Sequence, residues 1–140
     1  MIYLKCAGLK VMTSYIFDSS ALLAVLNDEP GSKAAMEKSN NITMSSINIA
    51  EVMTILVRNG VNKLDAKRIL ESTVSNIIDF DFEQAITSGC IYTQTKGYGL
   101  SLGDRACLSL AKATKMPVLT ADKVWAKLAN SLEIDFIIIR

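Results

Sequence analysis

The sequence contains no histidine. That single absence removes His-based general acid–base catalysis together with Ser-His-Asp and Cys-His nucleophiles. Any acid–base or metal chemistry therefore falls to carboxylates. Cysteine is scarce too: Cys6, Cys90 and Cys107 are an odd number, widely spaced, with no C-x-x-C pair. This argues against a disulfide framework and a zinc site and points to a reducing cytoplasm. With 2 Pro and 7 Gly beside 50% hydrophobic residues, the chain is neither disordered nor collagen-like. No apolar run approaches the ~18 residues of a membrane span: the stretch from Tyr15 to Leu26 is broken by Asp18. Residues 1–11 carry Lys5 and Lys10 inside a mildly apolar run and lack the order of a signal peptide. The expectation is a soluble, cytoplasmic protein with no membrane association.

What is present is enough for one domain. A chain of 140 residues can bury roughly 68% of its unfolded surface without staples. Net charge is only +1, but it is unevenly spread. Residues 12–95 hold 6 Lys+Arg against 10 Asp+Glu, whereas residues 96–140 hold 7 against 4. A basic C-terminal third hints at an anionic partner, and an ordinary solvated surface explains it equally well.

Apolar runs and capping signals alternate strands with helices. Tyr15–Phe17, Ile42–Met44, Ile77–Phe80, Val118–Thr120 and Phe136–Ile139 read as strands. Helices are expected over Ala21–Leu26, Gly31–Lys38, Ser46–Asn59 (stopped by Gly60), Asn62–Ser72, Phe82–Thr95, Ser101–Lys115 and Asp122–Leu132. Strands separated by helices imply an α/β domain of three layers, α/β/α, with a mainly parallel sheet.

In such sheets ligands bind beyond the carboxyl ends of the strands. Asp18 follows the first strand directly and Asp122 lies two residues after Thr120. Glu51 and Asp104 sit near the starts of two helices. Each has a plain structural reading. Asp18 and Asp122 suit helix caps, Ser101-x-x-Asp104 has capping-box spacing, and Glu51 shares a polar stripe with Asn48 and Arg58. Together, four carboxylates without His or paired Cys resemble a hard-cation site for Mg²⁺ or Mn²⁺, whose usual use is phosphoryl chemistry.

Four segments carry a family resemblance. They are Asp18-Ser19-Ser20-Ala21, Ser46-Ile47-Asn48-Ile49-Ala50-Glu51-Val52, Ser101-Leu102-Gly103-Asp104-Arg105-Ala106-Cys107-Leu108, and Leu119-Thr120-Ala121-Asp122-Lys123-Val124-Trp125. The chain resembles the PIN-domain nucleases, and more narrowly the VapC-type toxins of toxin–antitoxin pairs, over roughly residues 14–140. The resemblance implies that Asp18, Glu51, Asp104 and Asp122 are the catalytic, metal-binding acids, supported by Ser20, Asn48 and Thr120. It implies an Mg²⁺- or Mn²⁺-dependent endoribonuclease acting on structured RNA, a cognate antitoxin protein as partner, and a homodimer. Its domain would span residues 12–140, with residues 1–11 an extension or alternative start. Two other readings stay open: a non-catalytic binding module of the same fold, and an aspartyl-phosphate phosphatase. The latter favours a D-x-D opening, where this chain has Ser20. Lys112, Lys115, Lys123 and Lys127 are the expected phosphate contacts for RNA, with a solvated surface as the plain alternative.

Overall fold

The computed structural model describes residues 14–38 and 40–140. The proposed boundary between residues 1–11 and a domain starting at Met12 lies outside the described residues. Five strands, β1 (Ser14–Phe17), β2 (Asn41–Ser45), β3 (Asn76–Ile78), β4 (Val118–Thr120) and β5 (Phe136–Ile138), form one sheet in the order β3-β2-β1-β4-β5. All four pairings are parallel. Each parallel neighbour needs a crossover, and helices supply them: α1 (Ser19–Leu26), α2 (Ser32–Lys38), α3 (Ser46–Arg58), α4 (Lys63–Thr73), α5 (Phe82–Cys90), α6 (Tyr92–Thr95), α7 (Leu102–Thr114) and α8 (Ala129–Leu132).

Side chains alternate across the sheet, so adjacent residues of one strand serve two cores. Phe17 and Leu119 face the layer of α1 to α4, together with Leu22, Met44, Val52 and Leu70. Ile16 and Val118 face the opposite layer, with Leu108, Leu110, Trp125 and Leu132. Both cores are closed to water, which is why the central strands read as continuous apolar runs. The edge strand β3 is exposed along its length. At the start of α2, Gly31 takes φ +97° and packs so tightly on the backbone of Ile139 that any Cβ would overlap its carbonyl. Arg140 secures the same corner, its Nη1 2.6 Å from Glu29 Oε2.

Two expected helices are corrected. The segment Phe82–Thr95 is not continuous. α5 ends at Cys90, just after Gly89, and Ile91 turns into the second core before α6 and a 3₁₀ turn at Lys96–Tyr98. The segment from Asp122 begins as a 3₁₀ helix over Lys123–Leu128, and only its end, α8, is α-helical. Trp125 and Leu128 are both fully buried there. A spacing of three residues puts them on one face in 3₁₀ geometry. Among the described residues no helix is long and apolar enough to cross a membrane.

Candidate active site

The short connections after β1, β2 and β4 bring their functional residues to one end of the sheet. Asp18 follows β1 in an extended conformation and caps α1, its Oδ1 accepting the Ala21 N–H at 2.8 Å. It is only 4% exposed. Ser20 Oγ donates to both its oxygens, at 2.7 and 2.9 Å, and Thr120 Oγ1 donates to Oδ2 at 2.5 Å. Thr120 ends β4, beside β1, so the pairing of these two strands sets the contact. The same threonine accepts from the Asp122 N–H at 3.0 Å, and Ser20 accepts from the Ala121 N–H at 3.0 Å. Asp122 in turn accepts from the Val124 N–H at 3.0 Å. Asp18 and Asp122 are therefore caps, as the plain reading expected, and they are joined through Ser20 and Thr120.

The second pair of acids comes from helices in opposite layers whose first turns meet above the sheet. Asn48, 1% exposed in α3, donates through Nδ2 to Glu51 Oε1 at 2.8 Å and to the Gly103 carbonyl of α7 at 3.0 Å. Ser19 Oγ donates to the same Glu51 oxygen at 2.6 Å. Glu51 lies over Gly103 so closely that a Cβ there would come within 2.6 Å of its carboxyl carbon. Asp104 closes the expected capping box: its N–H donates to Ser101 Oγ and its Oδ2 accepts the Ser101 N–H. Glu51 is thus held by two donors rather than left on a solvated stripe. The sequence gives Ser19 and Gly103 no role at the acids, although both lie within the segments that carry the family resemblance.

The electrostatics show that the four acids share one field. Burial pushes the Asp18 carboxyl up to about 6, against the pull of the Thr120, Ala21 and Ser20 hydrogen bonds, and the charge of Asp104 adds to the rise. Burial also raises Asp104, with further contributions from Glu51 and Asp122. Even the thiol of Cys107, buried one turn after Asp104, is raised by burial and then by Asp18, Asp104 and Glu51. Among the described residues no Lys or Arg forms an ion pair with any of these four acids, so their like charges stand uncompensated there. Among the described residues no three or more His, Cys, Asp or Glu side chains are grouped closely enough to hold a metal ion as they stand. The set is open, all-oxygen and anionic, which suits a hard divalent ion that retains several waters.

The four lysines are dispersed. α7 runs away from the acids, so Lys115 lies about 16 Å along its axis from Asp104. Lys112 donates from Nζ to the Leu132 carbonyl at 2.9 Å. Lys123 and Lys127 fall in the 3₁₀ segment, where residues four apart point about 120° from each other. Only Lys123 adjoins an acid, Asp122, in the chain.

The PIN domain family profile matches residues 15–131. The chain belongs to the PIN domain family. No curated protein sequence gives a significant match, so structural likeness supplies the rest. The PIN fold seen here is shared with a toxin–antitoxin complex from Klebsiella pneumoniae (22% identity, TM-score 0.72), covering 90% of this chain and 98% of that one. It is shared with DNA-bound VapBC from Salmonella typhimurium (16% identity, TM-score 0.70), covering 92% and 100%. It is also shared with VapC20 from Mycobacterium tuberculosis, described as a sarcin–ricin loop cleaving toxin (15% identity, TM-score 0.63), covering 81% and 94%.

The raised Asp18 carboxyl makes the stability of this PIN domain depend on pH in a defined direction. Its folded-state value of about 6 lies above the ordinary 3.8. The proton is therefore bound more tightly in the folded chain, and the contribution to stability is complete below pH ~4 and lost as pH rises through about 6. A shift of this size corresponds to a penalty on the order of 3 kcal/mol for the ionised form. In EDTA at pH 7.5, Asp18→Asn is expected to melt several degrees above wild type and to flatten the loss of stability between pH 5 and 7.5. Thermal melts across that range test it, and an Asn variant no more stable than wild type, with the same pH slope, would refute it.

Proposed function

We propose that this PIN domain is a VapC-type toxin: an endoribonuclease that hydrolyses phosphodiester bonds of structured RNA in the cytoplasm and is restrained by a cognate antitoxin. The observation that carries the reading is the convergence of Asp18, Glu51, Asp104 and Asp122 into one under-compensated field at the carboxyl end of the sheet. These four acids would hold Mg²⁺ or Mn²⁺, which when bound supplies an activated water and offsets charge on the phosphate oxygens. The chain's own groups prepare that chemistry. Ser20 and Thr120 fix the Asp18 carboxylate from two sides. Ser19 and Asn48 hold one Glu51 oxygen, and the Ser101–Asp104 box fixes Asp104 through one oxygen. Among the described residues no donor bonds Glu51 Oε2 or Asp104 Oδ1. Hydrolysis of this class leaves a 5′-phosphate and a 3′-hydroxyl.

The partner reading rests on the neighbours and on surface chemistry. The Klebsiella and Salmonella structures are toxin–antitoxin complexes. In this chain Val57, Leu64, Phe82 and Ile86 are exposed apolar side chains, available to an antitoxin segment or a second copy in a homodimer. An antitoxin Arg or Lys placed against the acids would compete with the metal for the same field. The purified protein should cleave RNA in Mg²⁺, lose that activity in EDTA and regain it when Mg²⁺ is restored. Co-expression with the adjacent small gene should yield a complex of far lower activity. RNA cleavage that is indifferent to EDTA would overturn the metal reading. A folded protein that cleaves no RNA in either ion would favour the non-catalytic module.

A further inference from the structure

An RNA strand that reaches the acids must carry its flanking phosphates past Glu51, Asp104 and Asp122, and a metal at the centre offsets charge only locally. The lysines expected to serve this purpose are mostly elsewhere: Lys112 is engaged with the Leu132 carbonyl, and Lys115 lies at the far end of α7. Arg105 is the cation that α7 places beside Asp104. Its environment is unusual for a structural arginine. Among the described residues no carboxylate pairs with it, although ion pairs form elsewhere on the surface at Lys67–Glu71 and Arg140–Glu29. Its Nε is buried with no acceptor. Its guanidinium carbon sits 5.3 Å from the ring centroid of Tyr92, which is itself 52% exposed. Ser88 Oγ donates to the Arg105 carbonyl and ties this turn of α7 to α5.

Tyr92 follows Ser88 by four residues, so the two stand on the same side of the α5–α6 stretch, toward Arg105. There Tyr92 supports one face of the guanidinium. A cation–π seat holds an arginine in place without neutralising it. The side chain is partly buried. Among the described residues no acceptor bonds its terminal nitrogens, which form a planar edge suited to a phosphate. Burial of Nε without a partner also favours an anion close by, since the charged group gains nothing from protein acceptors.

We propose that Arg105 is a phosphate-binding residue for RNA, taking a phosphate next to the one at the acids, and that Tyr92 is the positioning residue that aims it. This rests on the ribonuclease reading and adds to it a contact that none of the four acids or their supports provides. Loss of one phosphate contact to a single strand lowers the slope of log K against log salt by ~0.7. The probe is a 5′-fluorescein-labelled, unstructured 20-nucleotide RNA, bound in Ca²⁺ at several KCl concentrations and then cleaved in Mg²⁺. Arg105→Gln keeps much of the aliphatic stem and is expected to bind about tenfold more weakly, with the shallower slope, a raised KM and a kcat within about threefold of wild type. Arg105→Lys should restore the slope but not the full affinity. Tyr92→Phe should match wild type, and Tyr92→Leu should weaken binding without changing the slope.

A folded Arg105→Gln with wild-type affinity and slope overturns the proposal and leaves the residue to a protein partner. Should that variant unfold, Arg105→Lys decides, and affinity equal to wild type overturns it. Absence of RNA binding by the wild-type chain also overturns it, whereas RNA binding without cleavage in Mg²⁺ counts against the ribonuclease reading alone.

Discussion

Asp104→Asn is expected to lower RNA cleavage by about a hundredfold or more while leaving the fold intact. The amide oxygen can still accept the Ser101 N–H, so the capping box of α7 keeps its geometry. What is lost is charge. A neutral amide is a poorer ligand for a hard cation and does not offset its charge. Metal assistance supplies several kcal/mol of transition-state stabilisation, and a loss of ~3 kcal/mol is about a hundredfold in rate. The variant should melt within a few degrees of wild type, because relief of repulsion from Glu51 and Asp122 compensates for a weaker cap. Initial rates on a labelled RNA, with contaminating nuclease excluded, make the measurement. Near wild-type turnover would return Asp104 to the role of a cap and nothing more.

Gly103→Ala should separate stability from activity in a different way. Within α7 alanine is the better helix former, by about 1 kcal/mol. Its Cβ would occupy the space now filled by the Glu51 carboxylate. Glu51 is the far end of a flexible side chain, so it can swing away and the helix need not move. The cost is its hydrogen bonds from Ser19 and Asn48, roughly 1 kcal/mol each. Stability should therefore change by no more than about 1 kcal/mol, whereas cleavage should fall on the order of a hundredfold because one acid is displaced from the cluster. Urea melts and RNA cleavage measured on the same preparation test both halves. A variant with full activity would show that the position of Glu51 is not needed.

Much of this architecture is legible in the chain because its signals are local. Asp18, Ser45, Asn62, Asp81 and Ser101 each cap the helix that follows, and a cap is written within three residues of itself. The two-residue alternation at Ile16-Phe17 and Val118-Leu119 announces a sheet covered on both faces. Asp18 and Asp122 stand just beyond strands and Asp104 in a first helical turn, where local signals put them, whereas Glu51 lies a turn further into α3. Other features depend on contacts that no local pattern encodes. The 3₁₀ course of Lys123–Leu128 differs from an α-helix by one residue of hydrogen-bond register, and the burial of Trp125 and Leu128 decides it. The turn at Ile91 is settled by what α7 offers as a packing surface. The seat of Arg105 on Tyr92 depends on how α5 and α6 pack on α7, and the separation of Lys112 and Lys115 from the acids follows from the direction of α7.

The hydrogen bond from Thr120 to Asp18 joins residues 102 positions apart. It makes the ordering of Asp18 a late event in the synthesis of the chain. β1 emerges early in synthesis, but its neighbour β4 emerges only after α7, and Asp122 comes later still. Until then Asp18 has no Thr120 to hold it, and the strand on that side of β1 does not exist. Any product truncated before Val118 lacks β4 as a neighbour for β1 and lacks the Thr120 hydroxyl that holds Asp18. Pairing over so long a span is also slow to form.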